Sequence, residues 1–480
     1  MNNIKKNYIL NVFYQLLVIV LPLITAPYVA RILGATGTGI YSYTHSIAQY
    51  FVLIIMLGLN NYGNRSIAKS RDDKNNLSQT FSEIYTMQFI TGIISLTIFI
   101  ILIFINFFDN SIYMWLQIPY ILSAIFDINW FFFGIEEFQL TVTRNSIIKL
   151  LTVILTFAFV KSSTDLWKYI LLLSSGMLLS NLILWPFLFN RIKIKKVTYK
   201  DVSKHIKENL ILFVPVIATS IYTVMDKIML GFFTSVENVG YYEYAERIRN
   251  IPMGLISALG TVMMPRMSNL IAKNKKMEVK KNIDYSMDFI IWLSVALTFG
   301  IASVSKEFIP LFLGPKYDIC IIITPLLCSS IILVGWANVI RTQYLIPMSR
   351  NSVYVKSTII GAVVNFIINF ILLRIIGIYG VVLGTLCAEF SVAFYQSLKI
   401  YKELSIIKYI CILFKYIFIG VIMFLINKIL ELFGFSNFFL LMFKIILGII
   451  IYFGITLLVN KSTKSKSIIN IKHLKDIKGN

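Results

Sequence analysis

The sequence predicts an all-α polytopic membrane protein of about fourteen transmembrane helices: two six-helix bundles of like orientation, then two further C-terminal helices. Three observations lead there. Of 480 residues, 57% are hydrophobic and only 14% charged, where a soluble domain carries about 25% charged residues. Basic residues gather in alternate loops between the apolar stretches. And several short segments occur twice, in the same order along the chain.

Apolar segments long enough to cross about 30 Å of hydrocarbon at 1.5 Å per residue lie near 8–33, 40–60, 80–106, 112–134, 145–160, 168–190, 208–232, 240–264, 285–305, 318–340, 352–373, 378–398, 408–430 and 437–459. The first is too long for the apolar core of a signal peptide and has no convincing cleavage site, so it is expected to remain as a helix. Pro22 and Pro27 are expected to interrupt the first span and Pro215 the seventh, at matching places in the two halves. Gly58, Gly176, Gly361 and Gly384 are expected to let neighbouring helices approach closely.

The loops fix the sidedness. Lys5 and Lys6, the run Arg65 to Lys74, the run Arg191 to Lys207, the run Arg266 to Lys281 and the tail from Lys461 to Lys478 all fall on one side. The positive-inside rule makes that side cytoplasmic and places both termini there. A net charge of +22 would suggest nucleic acid in a soluble chain. Distributed this way it reads as topology and attraction to anionic lipid headgroups, so nucleic acid is excluded as a partner. Four cysteines lie in apolar stretches without ligand spacing, and His45, His205 and His473 are far apart, so no metal and no cofactor is expected.

The internal echoes divide the chain. Trp130 is followed fourteen residues later by Arg144-Asn145-Ser146, and Trp336 by Arg350-Asn351-Ser352. Leu33-Gly34…Gly39-Ile40-Tyr41 returns as Leu230-Gly231…Gly240-Tyr241-Tyr242, and Tyr85-Thr86-Met87-Gln88-Phe89 as Tyr285-Ser286-Met287-Asp288-Phe289. The separations are 206 residues for the first echo, 197 and then 201 along the second, and 200 for the third, a duplicated unit. Each copy holds an even number of spans, so the copies share orientation. The expected domains are an N-terminal lobe (1–190), a basic cytoplasmic linker (191–207), a C-terminal lobe (208–400), two additional spans (401–460) and a basic cytoplasmic tail (461–480).

The residues that carry the repeat also carry a family likeness. Pro27-Tyr28-Val29-Ala30-Arg31-Ile32-Leu33-Gly34 followed by Gly39-Ile40-Tyr41-Ser42, and Tyr222 to Gly231 followed by Val239-Gly240-Tyr241-Tyr242, look like signatures of polysaccharide exporters. Phe131 to Phe138 and Thr342 to Pro347 are similar to that group too. The chain resembles a Wzx-type oligosaccharide flippase of the multidrug/oligosaccharidyl-lipid/polysaccharide (MOP) exporter superfamily. That resemblance implies two bundles in a V around a central cavity, lined by the first two helices of each. It also implies a bacterial cytoplasmic-membrane transporter acting on an undecaprenyl-diphosphate-linked repeat unit of a capsule or other surface polysaccharide. Glycosyltransferases and a polymerase of the same pathway would then be its partners.

Charged residues within the apolar segments are the candidates for such a task, because each costs about 2.5–3.5 kcal/mol at a helix centre. Arg31, Lys227, Arg247 and Arg249 suit a diphosphate, arginine offering bidentate contacts. Asp127, Asp226 and Glu389 could hold a coupling proton or Na⁺. Plainer roles compete for each of them. Arg31 can snorkel from a helix end. Glu243 and Arg247 stand at i,i+4, Glu246 and Arg249 at i,i+3, where they can pair internally. Asp127 and Glu389 can be hydrogen-bonded between helices, and His45 reads as a packed histidine.

Three related functions remain open: the polysaccharide flippase, a flippase for another lipid-linked precursor (peptidoglycan or teichuronic-type), and a multidrug or cation antiporter of the same superfamily. A membrane glycosyltransferase or polymerase would need paired carboxylates on a sizeable outer loop, and the outer loops here are short. An enzyme is therefore not expected.

Overall fold

A computed structural model describes residues 2–108, 110–433 and 436–462, with side chains except at 2–16, 18, 19, 222 and 462. The basic tail beyond 462 and the side chains of Lys5 and Lys6 lie outside the described residues. In chain order the helices are α1 (Asn2–Met56), α2 (Leu59–Ser70), α3 (Lys74–Phe104), α4 (Ser111–Trp115), α5 (Ile118–Ile125), α6 (Asn129–Gly134), α7 (Phe138–Phe159), α8 (Leu166–Leu182) and α9 (Trp185–Phe189). They continue as α10 (Tyr199–Thr223), α11 (Met225–Phe233), α12 (Val236–Ala272), α13 (Lys276–Phe312), α14 (Asp318–Cys328), α15 (Ser330–Ile340), α16 (Asn351–Ile376), α17 (Ile378–Ile400), α18 (Ile406–Ile429) and α19 (Asn437–Ser462).

Among the described residues, twelve continuous stretches are long and apolar enough to cross a membrane, and α10 with α11, bent by 44°, makes a thirteenth. The first stretch, Val20–Ser70, has 51 residues, about 75 Å of helix. It holds two spans, broken at Gly34, whose backbone (φ 68°, ψ −179°) leaves the helical region for one that side chains with a Cβ avoid. That recovers the expected fourteen. The prolines do not make the breaks: α1 runs on through Pro22 and Pro27, and α10 through Pro215. Membrane helices tolerate proline where the freed carbonyls are satisfied locally. The interruptions fall instead at Gly34 and Val224, after the prolines in both copies.

The fourth span is the largest local departure from the expected pattern, three short helices in place of one. Pro119 lies near the first break, and Asp127 makes the second. Its carboxylate accepts from the backbone N–H of Asn129 at 2.9 Å, a local bond that competes with the helical ladder. Carbonyls freed by the breaks need partners away from water, and side chains of other helices provide them. Ser174 donates to Leu116 O, Asn181 to Ser123 O, Trp185 to Phe126 O, and Gln88 to both Ala124 O and Asp127 O, all at 2.7–3.1 Å.

The chain falls into two compact units, Met1–Gly240 and Tyr241–Asn480. The boundary lies inside the first turns of α12, later than the linker that the repeat suggests. Within unit 1, α10 packs on α2 and α3, and α11 on α1. The two copies of the glycine motif meet there: a Cβ on Gly39 would overlap the Val236 carbonyl, and one on Gly240 the Ala35 carbonyl, while Gly231 faces the Tyr43 ring. In unit 2 the core joins α12, α13, α15, α17, α18 and α19 around Ile290, Ile331, Trp336 and Tyr416. The glycines expected at close crossings are at such places, Gly58 against Asn209 and Leu212, Gly176 against Thr152, Gly361 against Val392 and Gly384 against Asn369.

Candidate functional site

In unit 1 the nominated residues occupy three places. Arg31 is exposed on α1, three residues before the Gly34 break. Asp226 is buried at 1% exposure in the first turn of α11, with Lys227 half-buried beside it. Just before the Val224 break, Tyr50 of α1 donates to the Ser220 carbonyl of α10 at 3.2 Å. Asp127 belongs to a separate polar cluster at the second break of the fourth span. Its carboxylate also accepts from the Asn129 amide at 2.7 Å, and the Asn129 amide oxygen accepts from Arg144 at 2.9 Å. Arg144, 6% exposed, donates further to Asn145 Oδ1 at 2.6 Å and to the Ser180 carbonyl. Trp130 closes the cluster by donating to Gln88 Oε1 at 3.0 Å. Asp127 and Arg144 thus share one buried network, the kind of pairing that makes an intramembrane charge affordable.

In unit 2 the structure brings Arg249 and Glu389 together. Their charged groups stand 3.9 Å apart, at 11% and 13% side-chain exposure, on α12 and α17. The Arg249 Nε–H is buried with no acceptor, so the guanidinium keeps a donor to offer. Arg249 reaches across to α17 instead of pairing along its own helix. Arg247 does pair locally, donating to Glu243 at 2.7 Å and lying 5.7 Å from the Tyr244 ring centroid. His45, as expected of a packed histidine, sits against the rings of Tyr41 and Tyr120 in unit 1.

Other buried charges escaped the sequence reading. Lys444 is fully buried on α19, 2.7 Å from Glu307 of α13 and 2.9 Å from Glu431. Asp288, 6% exposed, accepts from Tyr416 of α18 at 3.0 Å. The rule that singled out Asp226 applies equally to Lys444 in the fourteenth span. Glu307 was missed because α13 runs seven residues beyond the expected end of its span. His205, buried at 6% exposure between Tyr62 and Glu83, stands in the sequence only as one of three widely spaced histidines. A cleft of about 610 Å³ opens between α7 and α8–α9, lined by Gln139, Thr143, Arg144, Ile147 and Phe187 among others. Its lining includes none of the seven nominated residues. Among the described residues no three His, Cys, Asp or Glu side chains come together as metal ligands.

Residues 4–271 match the model of a family described as polysaccharide biosynthesis protein. The chain belongs to that family. A putative O-antigen transporter of Escherichia coli (strain K12) is 24% identical over 398 residues, covering 81% of this chain and 95% of that protein. A probable low-salt glycan biosynthesis flippase of Haloferax volcanii is 26% identical over 229 residues, 48% of each chain. Among solved structures, the lipid II flippase MurJ in an inward closed conformation superposes with a TM-score of 0.75 at 17% identity, covering 96% of this chain and 99% of that one. The coverage extends the common fold over both units of this family member, and the resemblance read from its motifs is borne out.

Proposed function

We propose that the chain is a flippase for lipid-linked oligosaccharides. In this reading it moves undecaprenyl-diphosphate-linked repeat units of a capsule or other surface polysaccharide across the bacterial cytoplasmic membrane by alternating access. Its basic loops and both termini would face the cytoplasm. The family match, together with a relative named as a transporter over 81% of the chain and one named as a glycan flippase over 48% of it, is the observation that carries the reading. The physical need is plain. Each unsatisfied hydroxyl of a sugar costs several kcal/mol in apolar surroundings, so a hydrophilic path through protein is required while the prenyl tail stays in lipid.

The geometry within each unit supports the following residue roles. Arg249 is the best-placed diphosphate ligand, since its contact with Glu389 at 3.9 Å is loose and its Nε–H is unused. In unit 1 the cation proposed for this role is Arg31, exposed on α1; in unit 2 Arg247 donates to Glu243. Lys227 adjoins Asp226. Asp226, Asp127 and Glu389 are the carboxylates to which a coupling H⁺ or Na⁺ would bind.

A strain lacking the gene tests this. Lipid-linked repeat units should accumulate on the cytoplasmic leaflet, and the intact gene should clear them. Normal surface polysaccharide together with lost drug resistance would overturn the reading in favour of a multidrug transporter. Accumulation of a peptidoglycan precursor instead would redirect it to that lipid. Arg249→Ala should abolish clearance at unchanged membrane levels.

A further inference from the structure

The extended linker and the first turns of α10 are fastened to α2 and α3 by a row of polar contacts, all inside unit 1. Backbone N–H groups of Lys193 and Lys195 donate to the hydroxyls of Ser78 and Ser82 on α3, and Lys195 Nζ donates to Asn75 O. Along α10, residues 204, 205, 208 and 209 present one face. Lys204 meets Glu83 at 2.8 Å, and His205 Nε2 stands 2.9 Å from the same carboxylate. Glu208 accepts from Arg65 at 2.7 Å, and Asn209 Oδ1 accepts from the backbone N–H of Gly58 at 2.8 Å. On its other side, His205 Nδ1 lies 2.5 Å from the Tyr62 hydroxyl. By the repeat, α10 opens the second copy, while α2 and α3 belong to the first.

We propose that His205 is a proton-binding site that latches the first turns of α10 to α2 and α3, and that its proton sets whether this end of the transporter is held shut. The inference rests on the transport reading above for its consequence, and not for its chemistry. With a neutral ring, Nε2–H donates to Glu83 and Nδ1 accepts from the Tyr62 O–H. A proton added at Nδ1 reverses the second bond, the Tyr62 oxygen becoming acceptor, and no heavy atom has to move. The added positive charge faces Glu83, a carboxylate 4% exposed that also accepts from Gln79 at 2.9 Å.

The other charges around the ring are turned outward. Arg65 and Glu208, 51% and 59% exposed, are screened by solvent. Lys204, 54% exposed, is the exception: it shares the Glu83 oxygen with the imidazole, so its charge opposes the added proton and the carboxylate between them favours it. Lys195 of the linker reaches Asn75, away from the imidazole. Histidine is the side chain whose ordinary titration falls in the physiological range. The buried ring sits one helical step behind an exposed rim, so parting α10 from α2 and α3 wets it. Acid therefore closes this latch, and a rise in pH releases it. A proton gradient across the membrane then favours one phase of the cycle without any residue of the substrate path being titrated.

Three histidines in the whole chain make the test direct. In the full-length protein in lipid nanodiscs, with its cysteines replaced, spin labels at Lys69→Cys and Lys207→Cys report the separation of α2 and α10. A short-distance population at about pH 5 should give way to a longer one at about pH 8, and His205→Gln should erase that change. Glu83→Gln should raise the proton concentration needed for docking about tenfold. In histidine-labelled protein, the His205 ring nitrogens should titrate across the same interval. Distances independent of pH in the parent protein, or a pH response that survives His205→Gln, would overturn the proposal. A ring that keeps one tautomer throughout would do so even if the variants misfold. If the latch responds as expected while no lipid-linked saccharide is moved, the transport reading fails and the proton site stands.

Discussion

The two copies of the Trp…Arg-Asn-Ser motif share a sequence and hold different partners. In the first, Trp130 donates to Gln88 of α3, and Arg144 is buried among three oxygen acceptors. In the second, Trp336 donates to Ser397 of α17 at 2.8 Å, and Arg350 lies in a loop, pairing with Glu403 at 2.7 Å and lying 5.6 Å from the Tyr344 ring centroid. The residue equivalent to Gln88 is Asp288, which accepts from Tyr416 of α18. Further positions along the same helix have been exchanged. Where α3 has Ile84 and Ile103, α13 has Asp284 and Ser303, and the residue matching Phe107 is Glu307. Those three grip Lys408, Asn427 and Lys444 of the last two helices. An apolar stripe in one copy has become a polar seam in the other, and the additional pair of spans packs on that seam. Duplication preserved the scaffold, and a few substitutions on one helix gave it a new neighbour.

That contrast can be broken experimentally. The largest effect is expected at Lys444. Replacing it with Met leaves the Glu307 carboxylate buried without its cation, at a cost of about 3–5 kcal/mol. The detergent-solubilised protein should unfold at markedly lower temperature, and adding Glu307→Gln should restore most of the loss. If the single replacement is harmless, the seam does not hold the C-terminal pair.

The next test sets one arginine of the motif against the other. Arg144→Ala strands several buried acceptors and should cost about 3 kcal/mol. Arg350→Ala removes a pair exposed by more than a third on each side and should cost under about 1 kcal/mol. Equal losses in thermal unfolding would show that burial does not distinguish the copies. A smaller contrast concerns the tryptophans. Trp130→Phe and Trp336→Phe each remove one buried hydrogen bond, about 1–3 kcal/mol where the partner is left unsatisfied. The former should cost more, because Gln88 also holds two freed carbonyls of the fourth span.

The smallest effect is acid sensitivity. The hydrogen bond and charge of Arg350 hold the Glu403 carboxyl below its ordinary range. A depressed folded-state value means that this stability is present above the unfolded carboxylate range, about 4.3, and is lost as pH falls through the lower folded one. Arg350→Gln should flatten that acid limb of the unfolding curve, and an unchanged limb would assign it to other groups.

Much of this architecture was legible before any coordinates. Uniform apolarity gave the spans, loop charge gave their alternation, and motif residues such as Pro27 to Gly34 gave the family. What escaped was local or tertiary. Hydropathy cannot see that Asp127 caps Asn129 and breaks a span, because the compensating donors, Gln88, Ser174, Asn181 and Trp185, come from distant helices. It cannot pair Lys444 with Glu307 either, since 137 residues separate them. Of the nominated residues, sequence spacing foresaw the Glu243–Arg247 pair, which follows from one helix's geometry. It did not foresee Arg249 reaching Glu389, which depends on how α17 lies against α12.

The reciprocal contact of Gly39 with Val236 and of Gly240 with Ala35 carries one more consequence. Both sides are backbone, so neither can be stretched, rotated or refilled by a roaming side chain. Even one methyl group at either glycine therefore cannot be absorbed by a rotamer change: it must push one stretch of main chain off the other, so the spacing here is set by the absence of a side chain.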